Sequence, residues 1–199
     1  DTLLEARLTN GNNEIILATL SGRAIRFNEA NVRAVGRNSI GVTGIRMDDA
    51  NDEVIGFVCI DNPEKETILV VSENGFGKRS DLEDYRTINR GGKGVRTLNV
   101  TDKTGQLIAI KSVVENDQIM IINRSGIAIR MDVSDLRIQG RATQGVKVIK
   151  LDEGDSIASV CKIDEEAIEE VVTDVTAENI QPDNDNSEAT NPDSNNLPE

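Results

Sequence analysis

The sequence predicts an all-β, propeller-like fold built from three four-stranded blades of about fifty residues each. Three segments, residues 14–47, 67–100 and 118–151, align with one another with only small changes in length. Each opens with a short apolar, β-branched run that ends at Ser-Gly or Asn-Gly, which favours a tight hairpin turn. Apolar spacing of helical period is absent from this part of the sequence, so strands are the expected elements.

The alignment of these three repeats depends on residues that recur at spacings of 53 and 51. Four sets correspond: Gly22, Gly75 and Gly126; Arg26, Arg79 and Arg130; Arg37, Arg90 and Arg141; Gly41, Gly94 and Gly145. Four sets in one phase indicate a repeated structural unit rather than chance.

Each repeat predicts four strands in a fixed order. The first strands are the apolar runs Ile15–Leu20, Ile68–Val71 and Ile119–Ile122. Second strands follow the turn, as at Ala24–Phe27 and Ala128–Met131. A polar loop then ends in Gly and a Val that opens the third strand, at Val42, Val95 and Val146. The fourth strands lie in the connectors, at Val54–Ile60, Leu107–Val113 and Ile157–Ile163.

These strands divide the body, residues 1–163, into units at approximately 1–53, 54–106 and 107–163. Residues 164–199 form an acidic tail that is predicted to be largely disordered, because its Asn-, Asp-, Ser- and Pro-rich end has too little apolar surface to bury.

Charge is segregated along the chain in a way that the net value of −13 conceals. Residues 1–160 hold 21 basic and 23 acidic side chains, whereas residues 161–199 hold one basic and 12 acidic ones. Within the body, residues 23–46, 78–96 and 124–150 carry net charges of +4, +3 and +4, and the connector 47–77 carries −7. Basic charge therefore recurs in the same part of each repeat.

A repeat architecture places equivalent residues along one rim of the fold. Cations that recur at the same position of each repeat would therefore form a line of positive charge that can bind the phosphate backbone of a duplex. A single arginine is more often an ordinary solvated side chain, so the argument concerns the set. The candidate DNA-binding residues are Arg23, Arg26, Arg33, Arg37, Arg46, Lys78, Arg79, Arg86, Arg90, Lys93, Arg96, Arg130, Arg137, Arg141 and Lys147. The sequence has only four aromatic residues to stack on single-stranded bases, and it has no pattern typical of a recognition helix. We therefore expect contacts to the backbone of duplex DNA, and any preference for a DNA sequence should arise from how easily that DNA bends.

Other functional classes find little support. The chain has no His, and Cys59 and Cys161 lie far apart, so neither a metal site nor a catalytic constellation is indicated. The stretch around Lys78 matches neither a dinucleotide fingerprint nor a phosphate loop. No apolar run approaches the length of a membrane span. The chain begins at Asp1 rather than Met, which predicts a fragment or a processed product.

Long motifs resemble the C-terminal domain of the DNA gyrase A protein: VRAVGRNSIGVTGIRM, NGFGKRSDLEDYRTINRGGKGV and SGIAIRMDVSDLRIQGRATQGV, followed by an acidic tail. The resemblance implies a β-pinwheel with strands exchanged between blades and DNA wrapped around it to support negative supercoiling. It implies that Tyr85 is not the DNA-cleaving residue and that this part needs no cofactor or metal, since ATP and Mg²⁺ act elsewhere. The implied partners are double-stranded DNA and the rest of the gyrase A and B proteins in an A2B2 assembly, in the bacterial cytoplasm at the nucleoid, away from membranes.

Two departures from that family leave alternatives open. The three repeats resemble the last three of six blades. A box-like loop formed by Arg90, Gly91, Gly92, Lys93 and Gly94 matches the end of the family's diagnostic motif but lies in the second repeat. This loop is either a close-contact site for a partner or a loop that needs Gly to turn. The alternatives are a C-terminal domain of the topoisomerase IV A protein and a propeller-type scaffold for acidic proteins.

Overall fold

A computed structural model describes residues 2–163, and the predicted disorder of the tail falls outside these described residues. The all-β prediction is confirmed: the described chain contains strands and three short 3-10 helices, at Glu29–Asn31, Leu82–Asp84 and Val133–Asp135. The strands are β1 (Glu14–Thr19), β2 (Arg23–Asn28), β3 (Val54–Ile60), β4 (Thr67–Ser72), β5 (Phe76–Asp81), β6 (Val95–Arg96), β7 (Leu107–Val113), β8 (Gln118–Asn123), β9 (Ala128–Asp132), β10 (Val146–Lys147) and β11 (Ile157–Ile163).

The strands form three antiparallel sheets, one for each repeat. The strand orders are β3-β1-β2-β6 in the first sheet, β10-β5-β4-β7 in the second and β11-β8-β9 in the third. The first, second and connector strands lie where the sequence predicts them, and the connector strands match residue for residue. The approximate divisions at residues 53 and 106 are corrected, because β3 pairs with β1 and β7 pairs with β4. Each connector strand therefore completes the sheet that precedes it.

The short third strands are exchanged between neighbouring sheets, as the family resemblance implies. β6 comes from the second repeat but pairs with β2 of the first, with Arg23 opposite Arg96 and Ala24 opposite Val95. β10 comes from the third repeat and pairs with β5 of the second, with Gly77 opposite Val146. The prediction of a strand at Val42 is wrong, because within residues 2–163 no second strand of an earlier repeat is present to pair with it.

Glycine permits the exchanged strands to approach their acceptors. Gly94 and Gly145 adopt φ values of +66° and +75°, which L-residues rarely adopt. A Cβ on Gly94 would stand 2.2 Å from the Ala24 carbonyl oxygen, and a Cβ on Gly145 would stand 2.5 Å from the Gly77 oxygen. The Gly before β6 and the Gly before β10 are therefore required for strand exchange.

Two apolar cores hold the three sheets together. Residues of the first two sheets form one cluster, in which Ile16 packs with Ile68, Tyr85 and Leu98. A second cluster joins the second and third sheets through residues such as Leu69 and Ile119. Since each interface is buried by residues from both neighbouring sheets, the body folds as a series of mutually dependent layers.

Candidate nucleic-acid interface

The order of strands in the sheets distinguishes two sides of the body: a hub formed by the connector strands, and a rim on the opposite edges of the sheets. The connector strands β3, β7 and β11 occupy one edge of their sheets, and β7 contacts both β3 and β11. The exchanged strands β6 and β10 occupy the opposite edges of the first two sheets. The loops that lead to the third-strand positions, residues 32–46, 85–96 and 136–147, therefore lie away from the hub; we call them the rim loops.

Eight of the candidate cations are solvent-exposed on the rim loops: Arg33, Arg37, Arg46, Arg86, Lys93, Arg96, Arg137 and Lys147. Three of these, Arg33, Arg86 and Arg137, occupy the same position in each repeat, two residues after the last residue of the 3-10 helix. Among residues 2–163 these three side chains make no hydrogen bond or ion pair. These three arginines form a set of exposed positive charges at one repeated position. The four recurring sets used to align the repeats do not include this position, so the sequence did not distinguish it from the other arginines.

Arg26 and Arg79, in contrast, act as clips between neighbouring repeats. The Arg26 guanidinium donates to the Leu82 and Tyr85 carbonyls at 2.8 and 3.0 Å, and pairs with Glu14. Arg79 is 4% exposed and donates to the Leu136 carbonyl at 2.7 Å. The Arg26 donors are occupied and half-buried and those of Arg79 are buried, so both side chains have a structural role, and their contact with DNA stays a prediction.

Arg90 and Arg141 form a second set of clips. Arg141 donates to the Asp84 carbonyl at 2.9 Å and to the Arg96 carbonyl at 2.8 Å. Arg90 donates to the equivalent carbonyls of the first repeat, those of Asn31 and Thr43. Both residues are half-buried, so Arg90 and Arg141 dock the second and third rim loops onto the preceding repeat, whereas the equivalent Arg37 is exposed.

Lys78 is a buried amine, and its assignment to the DNA contacts is corrected for that reason. Its side chain is 0% exposed, and Nζ donates to the Gly140 carbonyl at 2.6 Å. Burial lowers the pKa of Lys78 to about 8. The repeat-equivalent residues are Ile25 and Ile129, so the position is an apolar one in the other two repeats.

Lys78→Ile tests the burial of this amine through the pH dependence of stability. Between about pH 8 and the ordinary value of 10.5, the unfolded chain still holds a proton that folded Lys78 has released. The wild-type free energy of unfolding should therefore rise with pH across this window, relative to K78I, by on the order of 1–3 kcal/mol. Urea unfolding of both proteins from pH 7.5 to 10.5 measures the difference, and parallel curves would contradict the burial.

The box-like loop is docked on the first repeat. The Gly91 N–H donates to the Gly44 carbonyl at 2.7 Å, and the Arg46 N–H donates to the Gly92 carbonyl at 2.9 Å. Lys93 pairs with Asp48 at 2.9 Å, and this hydrogen bond is the main cause of the lowered pKa of Asp48. Its glycines thus serve close contact within the protein, and Lys93 remains exposed at its outer side.

Two further candidate DNA-binding residues, and two cations that the sequence analysis did not select, can be placed in the structure. Arg23 is half-buried and donates to the Lys93 carbonyl at 3.3 Å. Arg130 is exposed on β9 and donates to the Gln118 side chain at 2.7 Å. Lys150 and Arg124 are exposed and were not among the candidates. The repeat spacing places Lys150 in the position of Arg46, and that signal would have identified it.

Four further observations concern other kinds of functional site among the described residues. Tyr85 is 0% exposed, its hydroxyl lies 2.5 Å from Thr97 Oγ1, and burial raises its pKa to about 12. No group of three or more His, Cys, Asp or Glu side chains suited to a metal ion occurs within residues 2–163. In the same range, no helix is long and apolar enough to cross a membrane. Burial raises the pKa of Cys59, which is half-buried, whereas Cys161 is exposed.

Comparison with known proteins matches this architecture to one family. A family model described as DNA gyrase C-terminal domain, beta-propeller, matches residues 13–61, 66–113 and 117–161. The DNA gyrase A protein of Staphylococcus epidermidis is 40% identical over 166 residues, which are 83% of this chain and 18% of that protein. The chain therefore spans about a fifth of the length of the curated relatives it matches.

Two solved structures are similar in fold. A DNA gyrase A C-terminal domain superposes with a TM-score of 0.71 at 28% identity, covering 77% of this chain and 51% of that chain. A C-terminal domain of DNA topoisomerase IV superposes with a TM-score of 0.76 at 25% identity, covering 87% and 54%.

Proposed function

This chain belongs to the DNA gyrase C-terminal domain family of β-propellers, and we propose that it binds and wraps duplex DNA along its rim loops. The observation that supports this proposal most strongly is the row of Arg33, Arg86 and Arg137, exposed at one position in three successive repeats. Equivalent cations on successive blades would contact phosphates at separate points along a duplex that follows the rim, and each contact releases counterions.

The proposed contact set is narrower than the sequence candidates. It comprises the eight exposed rim cations together with Lys150, and leaves out the clips and Lys78. Backbone contacts of this kind position DNA without reading its bases, so sequence preference would come from the cost of bending. The described aromatic side chains do not form a row along the rim loops, which favours a duplex over a single strand.

In the whole protein, the proposed role is to present wrapped DNA to the catalytic parts of a type II topoisomerase. The body contributes no catalytic residue, and ATP and Mg²⁺ would act elsewhere in an A2B2 assembly of the gyrase A and B proteins in the bacterial cytoplasm. Gyrase is preferred to topoisomerase IV because the family model and the 40% identity both point to gyrase. The higher TM-score to the topoisomerase IV domain keeps that assignment as the alternative.

A topological assay tests wrapping separately from binding. Nicked circular DNA is incubated with the chain and then sealed by ligase, and the linking number of the product is compared with that of DNA sealed alone. Wrapping predicts a shift in linking number that grows with the protein-to-DNA ratio. Saturated binding with an unshifted distribution would contradict wrapping while leaving DNA binding intact, and an absence of binding would favour the scaffold alternative.

Deletion of residues 164–199 is expected to tighten duplex binding severalfold at low salt. The deletion removes 12 carboxylates, which have the same sign of charge as DNA phosphates and are therefore expected to compete with them for the rim cations. Because the effect is electrostatic, it should fade as salt shortens the screening length. The matched control replaces the tail's Asp and Glu with Asn and Gln at constant length, and should reproduce the deletion. Unchanged affinity in both variants would show that the tail does not compete for the rim.

A further inference from the structure

A carboxylate stands among cations at the junction between the first two repeats. Asp48 follows the first rim loop, and its Oδ1 lies 2.9 Å from Lys93 Nζ of the second rim loop. The hydrogen bond from Lys93, and then the positive charges of Lys93, Arg23 and Arg46, hold the pKa of Asp48 below its ordinary value. The Lys93 and Asp48 side chains are 54% and 49% exposed, so a ligand from solvent can reach both groups.

Four cations, which we call the junction cations, meet at this place: Arg23, Arg46, Lys93 and Arg96. Arg23 lies directly opposite Arg96 in the pairing of β2 with β6, so their side chains leave the same face of the sheet. Arg23 also donates to the Lys93 carbonyl at 3.3 Å, and the Arg46 N–H donates to the Gly92 carbonyl at 2.9 Å. Asp48 supplies one negative charge against four positive ones, so these five side chains together remain positive.

The junction between the second and third repeats has the equivalent ion pair replaced by a neutral one. Repeat spacing places Thr101 in the position of Asp48 and Gln144 in the position of Lys93. Gln144 Nε2 donates to Thr101 Oγ1 at 3.2 Å, so the same two positions touch at both junctions. A neutral hydrogen bond is therefore sufficient to dock a rim loop here, and docking alone does not explain why the first junction has charges.

The other junction cations are also largely replaced at the second junction. The positions of Arg23, Arg46 and Arg96 are taken there by Phe76, Asn99 and Lys147. The backbone is nevertheless the same, since the Asn99 N–H donates to the Thr143 carbonyl at 3.0 Å, as Arg46 donates to Gly92. One cation, Lys147, thus stands at the positions that hold four at the first junction, and the two junctions differ in charge rather than in fold.

The Asp48 carboxylate offers Lys93 the same kind of acceptor that a DNA phosphate would offer. Both groups carry negative oxygens, and both accept charge-assisted hydrogen bonds from ammonium and guanidinium donors. An exposed ion pair contributes little to stability, so a phosphate can displace the carboxylate at small cost. The displaced carboxylate would remain close to the phosphate and repel it, and would therefore weaken binding.

We propose that Arg23, Arg46 and Lys93 form a binding site for one phosphodiester group of duplex DNA, and that Asp48 occupies this site in the free protein as an internal competitor. The proposal rests on the proposed function, because it assumes that the rim binds a duplex. It adds a residue that limits the affinity. It also places the strongest hold of the rim on DNA at the first junction, where the cations converge, and not equally at both.

Asp48→Asn removes the competing charge and keeps the shape of the side chain. The amide oxygen can still accept from Lys93, so the second rim loop should stay docked, as the third is by a neutral contact. Affinity for a labelled duplex, measured by fluorescence anisotropy at low salt, should rise roughly threefold to tenfold.

Asp49→Asn is the matched control for this variant. It makes the same change in net charge one residue further along, at an exposed side chain whose carboxylate accepts from the Asn51 N–H at 2.9 Å. Its effect on duplex affinity should be less than about twofold, since a charge outside the ion pair with Lys93 acts through water and is screened.

Lys93→Gln tests whether the gain depends on the ion pair. This variant gives the first junction the residue that the second junction has at the same position, and it should weaken duplex binding. Asp48→Asn added to K93Q should raise the affinity by less than about twofold, because the carboxylate no longer has Lys93 to occupy. The difference between the two gains measures the coupling of Asp48 to Lys93.

Three outcomes would overturn the proposal. One is an equal gain from D48N and D49N, which would assign the effect to overall charge. Another is an equal gain from D48N with and without Lys93. The third is a D48N protein that binds DNA no better than the wild type, and if it also unfolds at lower urea, the pair is a structural clip. All three leave the proposed function standing, because the wild type binds the duplex in each. A wild type that binds no duplex at low salt would refute the proposed function, and this site with it.

Discussion

Replacing Arg33, Arg86 and Arg137 together with alanine is expected to weaken duplex binding by roughly tenfold to hundredfold at low salt. The three guanidinium groups are exposed and make no hydrogen bond or ion pair within residues 2–163, so their loss should leave the fold intact. Each phosphate contact contributes about 0.9 to the slope of log K against log salt, so three lost contacts should lower that slope by about 2.7. Fluorescence anisotropy with a labelled duplex measures both quantities.

The control for this variant removes the same charge from outside the rim loops. Lys65 lies between β3 and β4, Lys111 lies on β7, and Lys162 lies on β11, where it pairs with Asp117 at 2.8 Å. Their joint replacement by alanine changes the net charge by the same three units. It should reduce affinity only slightly, because these side chains do not lie on the rim loops. Equal losses in the two triple variants would show that overall charge, and not the rim, determines affinity.

Arg79→Met is expected to lower the free energy of unfolding by about 3 kcal/mol. Methionine keeps much of the apolar stem but leaves the buried Leu136 carbonyl without its donor and removes the 2.6 Å contact to Glu115. Because a domain of this size is stable by only about 5–15 kcal/mol, the loss should be plain in urea unfolding.

Arg130→Met provides the matched comparison for Arg79. Arg130 has the same repeat position, but it is exposed, and its hydrogen bonds to Gln118 lie at the surface. Its replacement should change the free energy of unfolding by less than about 0.5 kcal/mol. Similar losses for the two variants would contradict the assignment of Arg79 as a clip between the second and third repeats.

The strands were predictable because they depend on short-range signals. Turn glycines such as Gly22 and alternating apolar residues specify a hairpin locally, and the connector strands were delimited by apolar runs between acidic segments. The exchange of β6 and β10 was implied only by family resemblance. Nothing local distinguishes a strand that pairs with its own repeat from one that pairs with the repeat before it, since the same two-residue segment satisfies either edge.

The function of individual arginines was the least predictable part. Arg26 and Arg33 look alike in the sequence, and both belong to the basic part of the repeat. One is held by carbonyls of the next repeat, and the other extends into solvent. When a residue recurs at the same position of each repeat, its role is expected to recur too. What that role is depends on whether a neighbouring repeat supplies hydrogen-bond acceptors for the side chain. Lys78 differs from the sequence prediction for a related reason: a charged side chain suggests exposure, whereas its repeat position is that of the buried Ile25.

The salt dependence of duplex binding by the full chain tests the central claim most directly. If five to eight of the exposed rim cations meet phosphates, log K should fall linearly with log salt with a slope of about −4.5 to −7. An affinity that hardly changes with salt would contradict the proposal that the rim loops bind the DNA backbone.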